Sequence, residues 1–337
     1  MTTNILIDLP IDPGSLERLR AIPNTNVSIV DHVEDSRTLP PELLSDIHIE
    51  LCAFPPKNFA DMKQVRFIQL CSAGYSQLFN LGLVEKGIRA ANGRGTFDIP
   101  IAEWNIAMLV NLARNLRGMI RNQEAGAWDR GAEFQIEIRG KTVGFWGYGG
   151  IARESARLAK AFGLQVHVLS RDGAHPRENV YVVPGTGDPE GVLPDRVFVR
   201  GEEKEFLSGL DFLILSMPLT KATEGMIGEA ELRLLRPTAY LLNPARGPII
   251  QEKALLKALQ ERWIAGAALD THYHYPMPAD HPLWRFPNVV MTPHISGSAL
   301  SPYFLTRSWD IFTQNVKRFL SGQPLLNELS QAQLNGE

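Results

Sequence analysis

Apolar residues in this chain gather in short uninterrupted runs, separated by stretches where they recur at helical spacing, which predicts buried strands linked by amphipathic helices. Residues 4–9, 26–30, 48–54, 65–71 and 88–91 read as strands, with a helix over 14–20 between the first two. A second series begins with a strand over 142–146, a helix over 151–162 that stops at Gly163, and a strand over 165–169. Strands over 212–216, 239–243, 265–269 and 289–291 follow, alternating with helices over 228–235 and 251–261, and a helix over 303–320 closes the pattern. Such alternation argues parallel sheets with right-handed crossovers, and the later series predicts a six-stranded doubly wound sheet. Residues 101–125 read as one long helix, apolar on more than one face, which suits a position between domains or subunits. Its stripe of Met108, Leu109, Leu112 and Leu116 reads as core. Residues 172–205, rich in Gly, Pro and charge, read as an insertion, with β-prone pieces at 180–183 and 196–199 arranged as a hairpin.

A chain of 337 residues exceeds what one core usually holds, so two domains are expected. The formal net charge of −3, with Lys and Arg scattered, argues against a nucleic-acid partner. Charges interrupt every apolar stretch before the ~20 residues of a membrane span, and the opening residues lack a charged leader, so a cytoplasmic protein is expected. Cys52 and Cys71 lie at the ends of apolar segments and read as small buried hydrophobes.

Candidate chemistry starts at the strand end at Trp146. Gly147, Gly149 and Ala152 fall at the spacing of the dinucleotide fingerprint, between a strand and a helix, as that pattern requires. Gly147 permits the tight turn, Gly149 lets amides approach a pyrophosphate, and Ala152 lets the helix pack closely. The alternative is a purely structural turn. The strand over 165–169 ends in Ser170 and Arg171 rather than an Asp or Glu, which favours a ribose 2′-phosphate over a free 2′-hydroxyl and hence NADP, with NAD as the second choice. Asp172 is the one acid close by. Arg177 and Arg196 of the insertion are candidates for further phosphate contacts. Ser72, Ala73, Gly74 and Tyr75 form a small-residue turn beyond a strand's carboxyl end, where exposed amides suit a carboxylate. Later strands end in Asn243, Pro244, Ala245, Arg246 and Gly247, in Asp270, and in Thr292, Pro293 and His294. An Arg can pin a carboxylate and polarise a carbonyl, and a His can move the proton that accompanies a hydride. His272 and His274 have the look of metal ligands, but no further ligand stands near, so no metal is expected.

These motifs together resemble the D-2-hydroxyacid dehydrogenase family. The likeness covers nearly the whole chain through SAGY from Ser72, the pair Ala102 and Glu103, GYGGIA from Gly147, MPLT from Met217, NPARG from Asn243, ALD ending at Asp270, and TPHISG from Thr292. It implies two Rossmann-like doubly wound α/β domains. One is a flavodoxin-like substrate domain made of 1–102 and 297–337; the other is a dinucleotide-binding domain over 103–296. The likeness further implies that Arg246 binds and polarises a 2-keto acid, that His294 is the general acid/base, and that amides of Ser72, Ala73 and Gly74 hold the carboxylate. Cofactor contacts are expected from Gly147, Tyr148, Gly149, Gly150, Ile151, Ser170, Arg171, Met217, Pro218, Asn243, Ala245, Asp270 and Gly297, with Asp270 orienting the nicotinamide. A homodimer built on the segment after Glu103 is also implied. One position departs from the family: Tyr275 stands where a Glu usually supports the catalytic His. The expected activity is NADPH-dependent reduction of a 2-keto acid to the (R)-2-hydroxy acid. The alternatives are a nonclassical dehydrogenase of a donor needing little proton transfer and a dinucleotide-sensing protein resembling the corepressors related to the family. Phe97 at the position of the formate-holding asparagine argues against formate.

Overall fold

The computed structural model describes residues 2–33, 35–131, 135–171 and 173–335. The chain forms two compact units, one of Met1–Thr96, Glu178–Tyr181 and Ala299–Glu337, the other of Phe97–Arg177 and Val182–Ser298. Among the described residues, no helix is long and apolar enough to cross a membrane.

In the first unit β1 (Thr3–Asp8), β2 (Thr25–Ile29), β3 (Ile49–Cys52), β4 (Phe67–Leu70) and β5 (Arg89–Ala91) form a parallel sheet ordered β2-β1-β3-β4-β5, the flavodoxin-like order. Every residue of β3 and β4 is buried, as expected of strands covered on both faces. That burial takes in Glu50, whose carboxyl is pushed up to about 8 by desolvation and is therefore neutral at pH 7. The first helix, Pro13–Arg20, starts where Asp12 accepts from the Ser15 amide and Pro13 occupies the first turn. The closing helix, Pro302–Leu320, belongs to the same unit. Its Trp309 is fully buried and donates to the Pro10 carbonyl at 2.9 Å, while Asn315 donates to Gln69 Oε1 at 2.8 Å and accepts from the Leu326 amide at 2.7 Å. Arg89 and Glu328 pair through two hydrogen bonds of 2.6 and 2.7 Å. Both chain ends therefore build one core.

In the second unit β6 (Thr142–Trp146), β7 (Gln165–Leu169), β8 (Arg196–Phe198), β9 (Phe212–Leu215), β10 (Tyr240–Asn243), β11 (Gly266–Leu269) and β12 (Val289–Met291) form a parallel sheet ordered β12-β11-β10-β9-β6-β7-β8. The sheet has seven strands, one more than the sequence pattern predicts. The extra strand is β8, from the expected insertion, which pairs in parallel with β7 and so is not part of a hairpin. Residues 180–183 form no strand; 178–181 instead join the first unit, where the Asn327 amide donates to the Asn179 carbonyl at 2.8 Å and the Tyr181 amide to Asn327 Oδ1 at 3.2 Å.

The long helix expected over 101–125 is two, Asp98–Ala113 and Leu116–Glu124. Asn115 takes a left-handed φ of 46° and caps the second helix by accepting from the Gly118 amide, so the axis breaks there. Leu109 and Leu112 are core, as the stripe predicts, but Leu116 lies beyond the break and is exposed. The first of these helices packs on Gly150–Ala161 through small residues, Ala102, Ala152 and Ala156, all fully buried, with Asn105 donating to Ser155 Oγ at 3.0 Å. In this sheet the strand order reverses between β6 and β9. That reversal places a crevice beyond their carboxyl ends.

Candidate active site

The turn after β6 carries the glycine pattern. Gly147 has a φ of 96°, and a Cβ there would lie 2.8 Å from the Ser216 carbonyl oxygen and 3.1 Å from Met217 N. Only glycine lets the turns after β6 and β9 close on each other. Met217 is buried beside it, and the Pro218 carbonyl accepts from Thr223 Oγ1 at 2.7 Å. A Cβ at Gly149, by contrast, would meet nothing within 4 Å. This open backbone caps the helix that continues through Gly150 and Ile151, whose first-turn amides have no acceptor within the helix and, with the positive dipole end, favour phosphate. The residues present fit a dinucleotide.

Two expected contacts change here. The Tyr148 side chain turns in beneath the insertion and donates to Asp188 Oδ2 at 2.6 Å, so only its backbone remains for a ligand. Asp188 also accepts from the Val192 and Leu193 amides at 3.0 Å, and these bonds outweigh its burial and hold the carboxyl below its usual range. Arg153 donates to the carbonyls of Tyr148, His175 and Asp188, and Glu154 accepts from the Gly187 amide at 2.6 Å. The insertion is thus bonded to the first turns of the fingerprint helix. Arg196, expected near a phosphate, pairs with Glu205 at 2.8 Å and lies over the Phe198 ring. Ser170 follows β7 and donates its hydroxyl to the Gly173 carbonyl at 2.6 Å, beside the exposed Arg171. Asp172 lies outside the described residues.

The ends of β10, β11 and β12 bring the remaining polar residues together. Buried Asn243 donates to the Arg246 carbonyl at 2.9 Å and accepts from the Ala245 amide at 3.1 Å, bracing a tight turn from which the Arg246 side chain projects to solvent. A Cβ at Gly247 would lie 2.5 Å from the His272 carbonyl, so glycine also lets this turn meet the one after β11. Asp270 is fully buried. One of its oxygens accepts from Thr292 Oγ1 at 2.5 Å and the Ile295 amide at 3.0 Å, the other from the Ser296 amide at 3.1 Å and the Ser296 hydroxyl. Each oxygen has two donors, so the carboxylate is spent on gripping the turn that carries His294, whose own φ is 58°. Trp104 donates to Thr292 Oγ1 at 3.2 Å and His272 Nε2 to the Thr292 carbonyl at 2.7 Å, so the grip extends into the helix and the neighbouring loop. Gly297 closes the turn against Phe97 and Ile101.

His294 is open to solvent on one side. Partial burial of its ring, then the Arg246 charge, and last His272 lower its pKa, against the opposing pull of Asp270. Tyr275 lies beside it, with ring centroids 5.6 Å apart, but its hydroxyl turns away and accepts from the His272 amide at 3.1 Å. His274 faces His281 instead, and among the described residues no group of His, Cys, Asp or Glu could hold a metal ion.

In the first unit, the turn of Ser72, Ala73 and Gly74 follows β4. The Ser72 carbonyl accepts from the Gly93 amide, and the Ala73 carbonyl from Asn92 Nδ2 at 2.7 Å. Ser72 Oγ donates to the Gly74 carbonyl at 2.8 Å. The carbonyls are all occupied, whereas the three amides donate to no acceptor among the described residues. Sequence reasoning missed Trp104, Thr292 and Ser296 as supports of His294. A hydroxyl two residues before a His was the only signal, and it names no partner.

Residues 106–296 match the sequence profile of the D-isomer specific 2-hydroxyacid dehydrogenase, NAD binding domain. The chain is 29% identical over 323 residues to a glyoxylate reductase of Thermofilum pendens, covering 90% of this chain and 91% of that one. It is 31% identical over 301 residues to a glyoxylate reductase of Pyrococcus furiosus, covering 83% and 84%. Among solved structures, a D-isomer specific 2-hydroxyacid dehydrogenase family protein from Aeromonas salmonicida superposes with a TM-score of 0.76 at 26% identity, over 98% of this chain and 99% of that one. The chain belongs to the D-isomer specific 2-hydroxyacid dehydrogenase family, and is an NAD(P)-dependent oxidoreductase.

Proposed function

We propose that the protein reduces a small 2-keto acid to the (R)-2-hydroxy acid and uses NADPH in preference to NADH. The observation that carries the reading is the meeting of Arg246, His294 and the open fingerprint turn at the carboxyl ends of one parallel sheet. The relatives named as glyoxylate reductases support the substrate class. Preference for NADPH rests on Ser170 and Arg171, the two residues that follow β7 in the sequence, neither of which carries a carboxylate that would repel a 2′-phosphate.

In this reading the nicotinamide, when bound, supplies the hydride. Arg246 pairs with the substrate's carboxylate and polarises the 2-keto oxygen, and protonated His294 donates a proton to that oxygen as it gains charge. The amides of Ser72, Ala73 and Gly74, which donate to no acceptor among the described residues, suit a carboxylate. Asp270 holds the His294 turn, which makes it a positioning group before any contact with the cofactor. The active form is a homodimer. Helix Leu116–Glu124 buries no residue of its own and, with the loop that follows, exposes Leu116, Ile120 and Trp128, a surface a second copy would cover. The protein works in the cytoplasm, in keeping with its two buried, unpaired thiols.

The test is a steady-state screen of NADPH and NADH oxidation with glyoxylate, hydroxypyruvate, pyruvate and bulkier aryl keto acids. Turnover of at least one acid, with higher kcat/KM for NADPH, is expected. No turnover of any of them with either cofactor would refute the reading.

A further inference from the structure

The first turn of the fingerprint helix already holds an anion, and the chain itself provides it. A Cβ built on Gly150 would fall 1.9 Å from Asp98 Oδ2, 2.6 Å from its Cγ and 2.9 Å from Oδ1. The Asp98 carboxylate therefore fills the space that a side chain at position 150 would take, and any other residue at 150 would expel it. At the preceding residue, Gly149, the same construction meets nothing. Asp98 comes from the first turn of Asp98–Ala113, the helix packed along Gly150–Ala161, so its place is fixed by that packing and by Ala102, Ala152 and Ala156. The fingerprint helix runs for twelve residues, and its first-turn amides and dipole end attract negative charge. A dinucleotide's pyrophosphate seeks the same amides. Among the described residues Arg177 of the insertion is a cation that feels the Asp98 charge, and it is also near Arg153.

We propose that Asp98 is an intramolecular occupant of the pyrophosphate subsite, one that the cofactor must displace, and that it sets the protein's affinity for NADPH. The inference rests on the dinucleotide site of the preceding section. With the cofactor absent, the carboxylate satisfies the helix end and neutralises Arg177. When the pyrophosphate arrives, Asp98 must swing aside, and Arg177 is left as a cation for the phosphate. The carboxylate costs affinity because two anions compete for one set of amides, and because a displaced Asp98 still lies close to the phosphate charge. A neutral residue of similar size removes both penalties.

The experiment measures direct binding of NADPH by energy transfer from tryptophan to the nicotinamide, on the wild type, Asp98→Asn and Asp98→Ser. Thermal melts confirm that each variant is folded, and inorganic pyrophosphate serves as a competing probe. Both variants should bind NADPH about ten to a hundred times more tightly, the range expected for removing one like charge within several ångströms at a partly screened site. Pyrophosphate should also displace NADPH from both at correspondingly lower concentration. Unchanged or weaker binding in both variants would overturn the proposal, since the carboxylate would then be neutral toward the cofactor or a ligand of it. Failure of every form, wild type included, to bind NADPH or NADH would overturn the cofactor assignment itself, and this inference with it.

Discussion

Replacing Tyr275 by Glu should move the pH dependence of reduction upward. In the proposed reduction His294 must be protonated to deliver its proton, and burial, Arg246 and His272 together lower its pKa from the ordinary value near 6.5. Below that lowered pKa the imidazole is cationic and competent; as pH rises through it, the acid form and the reductive activity are lost. The wild type should therefore lose activity at a pH below ~6.5. A carboxylate in place of the phenol would stand near the 5.6 Å that now separates the two rings. Tyr275 is 59% exposed, so the effective dielectric lies between ~20 and ~40, and the attraction is about 1.5 to 3 kcal/mol, or about 1 to 2 pH units. The assay is kcat/KM for the best keto acid at saturating NADPH, measured from pH 5 to 9 on wild type and Tyr275→Glu. The midpoint of the alkaline fall should rise by about one unit or more. No movement in a folded variant would mean that position 275 does not reach His294, and the electrostatic account of this site would be wrong.

Three further outcomes are expected. Ser170→Asp combined with Arg171→Ala should reverse the NADPH-over-NADH ratio of kcat/KM, because a carboxylate at the end of β7 accepts from a ribose 2′-hydroxyl and repels a 2′-phosphate; an unchanged ratio refutes the assignment. Thr292→Val removes the hydroxyl that links Trp104 to Asp270, and should lower kcat about tenfold to a hundredfold by loosening the His294 turn while leaving the Kd for NADPH nearly unchanged; equal loss of both would mean that the turn serves cofactor binding instead. Ile120→Glu should convert the proposed dimer to a monomer in light scattering coupled to size exclusion, and a variant that stays dimeric would move the interface elsewhere.

Much of the architecture was legible because strands buried on both faces leave continuous apolar runs, as in β3, β4, β6 and β9. The edge strand β8 was not placed as a sheet strand, since Arg196 and Val197 are exposed and only Phe198 is buried, a pattern that does not separate an edge strand from a hairpin arm. The helix over 101–125 read as continuous because Asn115 is tolerated inside a helix; nothing local says that its side chain would cap a new one. At the site, Arg246 and His294 could be picked out because each follows a strand end. Asp270 was visible as a candidate, but its saturation by Thr292, Ile295 and Ser296 depends on a turn 22 to 26 residues away, which no local pattern encodes. For Tyr148 it was the direction of the side chain that was not legible. A fingerprint position reads as ligand-facing, yet the buried partner of its hydroxyl, Asp188, lies 40 residues on.

The discontinuity of the first unit bears on how the protein is made. Its strands leave the ribosome first, but the core they require includes Trp309 and Asn315, and Arg89 waits for a partner 239 residues downstream. At ordinary synthesis rates of ~5 to 20 residues per second that wait is about 12 to 48 s, during which β1 through β5 have no closing helix. The second unit, apart from 178–181, lies wholly between Phe97 and Ser298, so the middle of the chain can complete its core before the beginning does. The nascent N-terminal segment is consequently the part that must be shielded from aggregation, and a stop codon just before Trp309 should yield a chain with a folded middle and a sticky, unfinished start.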